Sequence, residues 1–160
     1  MDLNKLFYPQ SVAIVGASTR IGSVGNDVLK NLVQQGYKGS IYPINPKAQD
    51  LYGLKCLPKL SAIASPVDLA VIAIPALAVP TVLEEAGSVG VKAVIVISAG
   101  FKEAGNREGE EKIKEICQRY GMVLVGPNCL GLINPEIKLN ASFAISDPAF
   151  GPVAFVSQSG

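Results

Sequence analysis

Apolar runs too short to be helices alternate along this chain with stretches of helical periodicity. "SVAIVG" (11–16), "DLAVIAIP" (68–75), "KAVIVISAG" (92–100) and "MVLVGPN" (122–128) are continuous and rich in β-branched residues. A strand exposed on one face alternates apolar with polar. A strand apolar on both faces belongs to a parallel sheet covered on both sides. "SIYPIN" (40–45) is a further strand, and its Pro43 places it at an edge or a bend. Between the runs, Val24, Val28, Leu29, Leu32 and Val33 recur at helical spacing up to Gly36. Pro80 suits the first turn of a helix reaching about Val89. Glu110 to Tyr120 form another, with Ile113, Ile116 and Cys117 on one face and Gly121 as its stop. "LKCLPKLSAI" (54–63) reads as a short extended piece and a helical turn. Repeated βα units predict an α/β, Rossmann-like doubly wound fold, a mainly parallel sheet with helices on both faces.

Composition narrows the function classes. Apolar residues are 49% and charged residues 17% of 160, enough for a sizeable core and too little charge for disorder. A net charge of +1 creates no overall field for nucleic acid or an anionic membrane. The start "MDLNKLFYPQ" lacks a basic region followed by an apolar core, and no apolar run approaches a bilayer's thickness, so a cytoplasmic protein is expected. Three cysteines stand far apart without a CxxC pair, and the chain has no histidine. Neither an ordinary zinc site nor imidazole chemistry can be built from this chain.

In such sheets ligands bind at the carboxyl ends of the strands, near the topological switch point. The loops there are "GASTRIGS", "NPKAQDLYG", "PALAVP", "SAGFKEAG" and "GPNCLGLINP". In the first, Gly16 permits a tight turn, Ser18 and Thr19 offer hydroxyls, and helix-start amides favour an anion. Gly25 permits close packing of helix on strand, although Gly16, Gly22 and Gly25 do not spell GxGxxG. Arg20 suits a bidentate contact to an oxyanion. A plain strand-to-helix turn with a solvated arginine is the competing reading. An NAD site places a carboxylate at the end of the second strand for the ribose 2′-hydroxyl. Here Asn45, Pro46 and Lys47 stand there, which suits a ribose phosphate such as that of NADP or coenzyme A. Lys47 also reads as an ordinary turn lysine.

"GPNCLGLINP" (126–135), with "VIAIPA" (71–76), "VIVISAGF" (94–101) and "VAFVSQSG" (153–160), resembles the coenzyme A-binding N-terminal domain of the NDP-forming acyl-CoA synthetases. These are the ADP-forming acetyl-CoA synthetase type, related to the α subunit of succinyl-CoA synthetase. The resemblance covers nearly the whole chain in the right order. It implies a Rossmann-like domain that binds coenzyme A or acyl-CoA and works with the remaining domains or subunit of a synthetase. Gly16, Ala17, Ser18, Thr19 and Arg20 would take phosphates of the CoA nucleotide. Asn45, Pro46 and Lys47 would lie near the ribose 3′-phosphate or the diphosphate. Ile74 and Pro75 would flank the adenine and pantetheine channel. Ser98, Ala99, Gly100 and Phe101 would line the pantetheine path, and Asn128 would sit near the thiol. The α subunit of succinyl-CoA synthetase has an acidic residue where this chain has Ala99, so that contact does not carry over.

In the family a histidine in the following domain carries the phosphoryl group. The expected organisation is therefore a CoA-binding domain over 1–150 and the first strand and turn of a second domain over 151–160. Such a piece would bind CoA without catalysis of its own. Exposed "VAFVS" would favour a homo-oligomer. Cys129 reads as a small packed residue rather than a nucleophile, because no base stands by to form its thiolate. The charged stretch from Glu103 to Glu111 reads as the solvated start of a helix. An NADP-dependent oxidoreductase domain and a nucleotide-sensing regulatory domain are the two other readings.

Overall fold

The computed structural model describes residues 3–146 and 148–157. At its centre five parallel strands form one sheet. β1 is Ser11–Val15 and β2 is Ser40–Ile44; the short β3 (Asp50–Leu51) and β4 (Leu54–Lys55) pair only with each other. β5 is Leu69–Ile72, β6 is Ala93–Val96 and β7 is Val123–Val125. The order across the sheet is β2-β1-β5-β6-β7. Val12 lies between Ile41 and Leu69 in register. The chain leaves β1 for β2 on one side and returns for β5 on the other, so the switch point lies between the carboxyl ends of β1 and β5.

Alternation divides the core into two layers. Val12 and Ile14 of β1, Leu69 and Val71 of β5, and Ala93 and Ile95 of β6 face one side. There they meet Val28, Leu29 and Leu32 of α2 (Val24–Gln34) and Leu6 of the single-turn α1 (Asn4–Phe7). Ala13, Val15, Ala70, Ile72, Val94 and Val96 face the other side. They meet Val79, Leu83 and Ala86 of α3 (Val79–Ser88) and Ile113, Ile116 and Cys117 of α4 (Arg107–Tyr120). Pro80 falls in the first turn of α3, where a missing N–H costs nothing. α4 begins three residues earlier than its apolar periodicity suggests. The Asn106 side chain accepts from Gly109 N at 2.9 Å and caps the helix.

Three further segments complete the fold, two of them unlike the sequence expectation. An antiparallel hairpin, β8 (Gly131–Asn134) and β9 (Leu139–Ser142), covers part of the α2 face, with Leu139 and Ala141 fully buried. Asn31 of α2 donates to the carbonyls of Ser142 and Ala144 at 2.9 and 3.0 Å and anchors it. Second, "LKCLPKLSAI" forms the short extended piece and helical turn expected of it, as β4 and a 3-10 turn at Leu60–Ala62 that buries Leu60. Third, the strand expected over 153–157 is not formed: these residues lie in no helix or strand, and Val153, Phe155 and Val156 are exposed. A strand exists only against a neighbour's hydrogen-bonding edge, and no described strand runs beside this segment. Gln158, Ser159 and Gly160 of "SQSG" lie outside the described residues.

Candidate functional site

At the switch point a cleft of about 480 Å³ opens between the first, second and third strand-end loops. Val15, Gly16, Ala17 and Ser18 line one side, and Ile44, Asn45, Pro46 and Lys47 the next. Ala73, Ile74 and Pro75 close it from the end of β5. The backbone approach that makes this cleft requires glycine. Gly16 has φ +94°, and a side chain there would run into the Ala73 carbonyl. A side chain at Gly25 on α2 would run into the Gly16 carbonyl, so helix, loop and strand are in direct contact here.

Asn45 fastens two of the loops together. Its Nδ2 donates to Ala17 O at 2.7 Å, while its Oδ1 accepts from Lys47 N at 2.8 Å and Ala48 N at 3.2 Å. These bonds make Asn45 a clamp that shapes the turn carrying Pro46 and Lys47. A second lock holds the first loop: Asn26 Nδ2 donates to Ser18 O at 2.8 Å, Arg20 N to Ser18 Oγ at 3.0 Å, and Ser23 Oγ to Arg20 O at 2.7 Å. Thr19 and Arg20 themselves are exposed and do not line the cleft, because the loop arches outward before α2 begins.

Ser98, Ala99, Gly100, Phe101 and Asn128 gather in a separate cluster at the ends of β6 and β7. Asn128, at φ 53°, donates its backbone N–H to Ser98 O at 3.0 Å, so the two loops touch. The Ser98 hydroxyl accepts from Ile74 N at 3.1 Å and donates to Ile72 O at 3.4 Å. That bond ties this cluster to the wall of the cleft. The carboxylate of Glu103 accepts the Gly100 and Phe101 amides, which hold its carboxyl below the usual carboxylate range. Phe101 departs from expectation. Its side chain is 1% exposed and packs in the α3–α4 layer, so only its backbone can face a ligand.

The cleft has the chemistry of a nucleotide site: largely aliphatic walls, Lys47 and Lys59 in its lining, and no carboxylate at the end of β2. The family model described as a CoA binding domain matches residues 10–135. This chain belongs to the CoA-binding domain family. An acetate–CoA ligase (ADP-forming) of Methanocaldococcus jannaschii is 50% identical over 99% of this chain, which corresponds to 22% of that protein. The α subunit of the acetate–CoA ligase (ADP-forming) I of Pyrococcus furiosus is 43% identical over 100% of this chain and 36% of its own length. A solved structure of a dinucleotide forming acetyl-coenzyme A synthetase 1 from Ca. Korarchaeum cryptofilum, in complex with phosphate and ADP, superposes with a TM-score of 0.96. It is 46% identical over 99% of this chain and 34% of its own. The chain thus spans about a quarter to a third of the length of these three proteins.

Other cleft residues of this CoA-binding domain were not singled out by sequence. Pro58, Lys59 and Leu60 form a wall after β4, and Val82 and Glu85 reach it from α3. The signal was present in the helical spacing of Val82 and Glu85, three positions apart. What sequence lacks is the excursion through β3 and β4 that swings residues 58–60 back over the sheet edge. Leu57 brings it there by accepting from Asn45 N and donating to Pro43 O, each at 2.9 Å. The cysteines offer no nucleophile. Burial pushes the Cys117 thiol up to about 11 and raises that of Cys129, whose Sγ rests 3.5 Å from Val96 O. Among the described residues no group of acidic, histidine or cysteine side chains could hold a metal, and no helix is long and apolar enough to cross a membrane.

Proposed function

We propose that this domain holds coenzyme A for an ADP-forming acyl-CoA synthetase, with the CoA nucleotide in the cleft and the pantetheine arm running towards Ser98, Gly100 and Asn128. The observation that carries the reading is the cleft itself. It sits at the switch point, its walls are mostly aliphatic, and Lys47 and Lys59 in its lining supply positive charge for phosphates. Arg20 lies outside the cleft on the same loop, and its exposed guanidinium is free to fold over a bound phosphate.

In the parent reaction an acyl phosphate reacts with CoA. The thiol sulfur attacks the acyl carbon, the carbon–oxygen bond to phosphate breaks, and inorganic phosphate leaves, the thiol proton passing to the departing phosphate or to solvent. This chain supplies position and orientation for that attack. The phosphohistidine of the family's mechanism would come from another domain, since the chain contains no histidine. Residues 1–150 form the binding domain, and 151–160 lead towards that further domain. The exposed apolar side chains of Val153, Phe155 and Val156 are its docking segment and give the chain alone a tendency to self-associate.

Calorimetric titration with CoA, 3′-dephospho-CoA, NADP and NAD tests the reading. CoA should bind, dephospho-CoA should bind about ten-fold more weakly, and Lys47→Ala should remove that difference. Binding of NADP without CoA would replace this reading with the oxidoreductase one.

A further inference from the structure

The polar groups of the cleft are unevenly placed. Lys47 and Lys59 stand on the loops after β2 and β4, whereas Glu85 comes from α3 and is the one carboxylate among the described lining residues. It is half-buried, beside Val82 on the same helix face and opposite Pro58 and Leu60. Its Oε1 accepts from the backbone N–H of Ser61 at 2.9 Å. That bond joins α3 to the Leu60–Ala62 turn and sets the carboxylate's orientation. Among the described residues nothing donates to its second oxygen.

A carboxylate at neutral pH can only accept hydrogen bonds. A half-buried acceptor with one oxygen uncommitted, set in an aliphatic slot, favours a flat ring that brings a donor on its edge. Adenine does so through its 6-amino group. We infer that Glu85 is the base-selecting residue of this cleft, accepting a hydrogen bond from the 6-amino group of the purine. The inference rests on the reading that the cleft holds the CoA nucleotide. It divides the lining by charge: the ammonium groups of Lys47 and Lys59 serve phosphate, and the Glu85 carboxylate serves the base.

The test is a two-by-two titration. The chain and its Glu85→Ala variant are each titrated with CoA and with the CoA analogue whose purine lacks the 6-amino group. The unaltered chain should bind the analogue about ten-fold more weakly, as expected for losing a hydrogen bond to a charged group. The variant should bind both ligands alike. The ratio is taken within each protein, so a general loosening of the Leu60–Ala62 turn cancels. Equal binding of the two ligands by the unaltered chain, or a variant that keeps the ten-fold preference, overturns the role of Glu85. An unaltered chain that binds neither ligand overturns the nucleotide reading of the cleft instead.

Discussion

Asn45 shows how one side chain can shape the cleft that it lines. Its amide makes three hydrogen bonds, one across to the loop after β1 and two within its own turn after β2. Asn45→Ala should cost about 2 kcal/mol, at roughly 1 kcal/mol for each of the better bonds. A thermal melt checks this, and CoA affinity should fall with it. Gly16→Ala should cost more, since it meets both a positive φ and the Ala73 carbonyl. A variant that melts like the parent would show that the backbone approach is relaxed. Glu103 sets a pH dependence. Its folded carboxyl is held below the usual 4.5 by the Gly100 amide, so its contribution is present above that value and lost as pH falls through the lowered one. The melting advantage of the parent over Glu103→Gln should therefore be full at neutral pH and vanish on acidification. A constant difference across that range would contradict the assignment. At position 129, Cys129→Ala should leave CoA affinity unchanged, because the thiol is packed and its burial opposes thiolate formation.

Among the elements, the central strands β5 and β6 were plain in the sequence because burial on both faces leaves no polar residue in them. Pro43 likewise marked β2 as an edge, and β2 closes one side of the sheet order. The hairpin of β8 and β9 was not plain. Its residues continue directly from "GPNCLG", and Asn140 and Ser142 are polar yet buried, which breaks the apolar signature. They are satisfied internally, Ser142 N donating to Asn140 Oδ1 at 3.2 Å and the Ser142 hydroxyl bonding the same oxygen. Sequence patterning sees polarity, not the partner that neutralises it. The hairpin's hold on α2 runs through Asn31. Asn31→Ala should lower stability by about 1–2 kcal/mol while leaving the cleft intact. Chemical denaturation together with CoA titration separates the two effects.

For the whole molecule, alternating βα units place every strand-end loop on one edge, and eight of the fifteen residues expected at the site line one cleft. The others divide for geometric reasons. Thr19 and Arg20 ride an outward arch, and Phe101 turns into the core. Ser98, Ala99 and Gly100 stand one strand further along the edge, at the end of β6, and Asn128 two strands further, at the end of β7. Direct measurement of where CoA sits therefore decides the account. Backbone amide shifts should be followed by NMR as CoA is added to the labelled chain. The largest changes should fall on Gly16, Ala17, Ser18, Lys47, Ile74 and Leu60, with smaller ones on Gly100 and Asn128. Changes confined to the opposite edge of the sheet, or to the groove of Val33, Tyr37 and Gly39 beside β2, would contradict it.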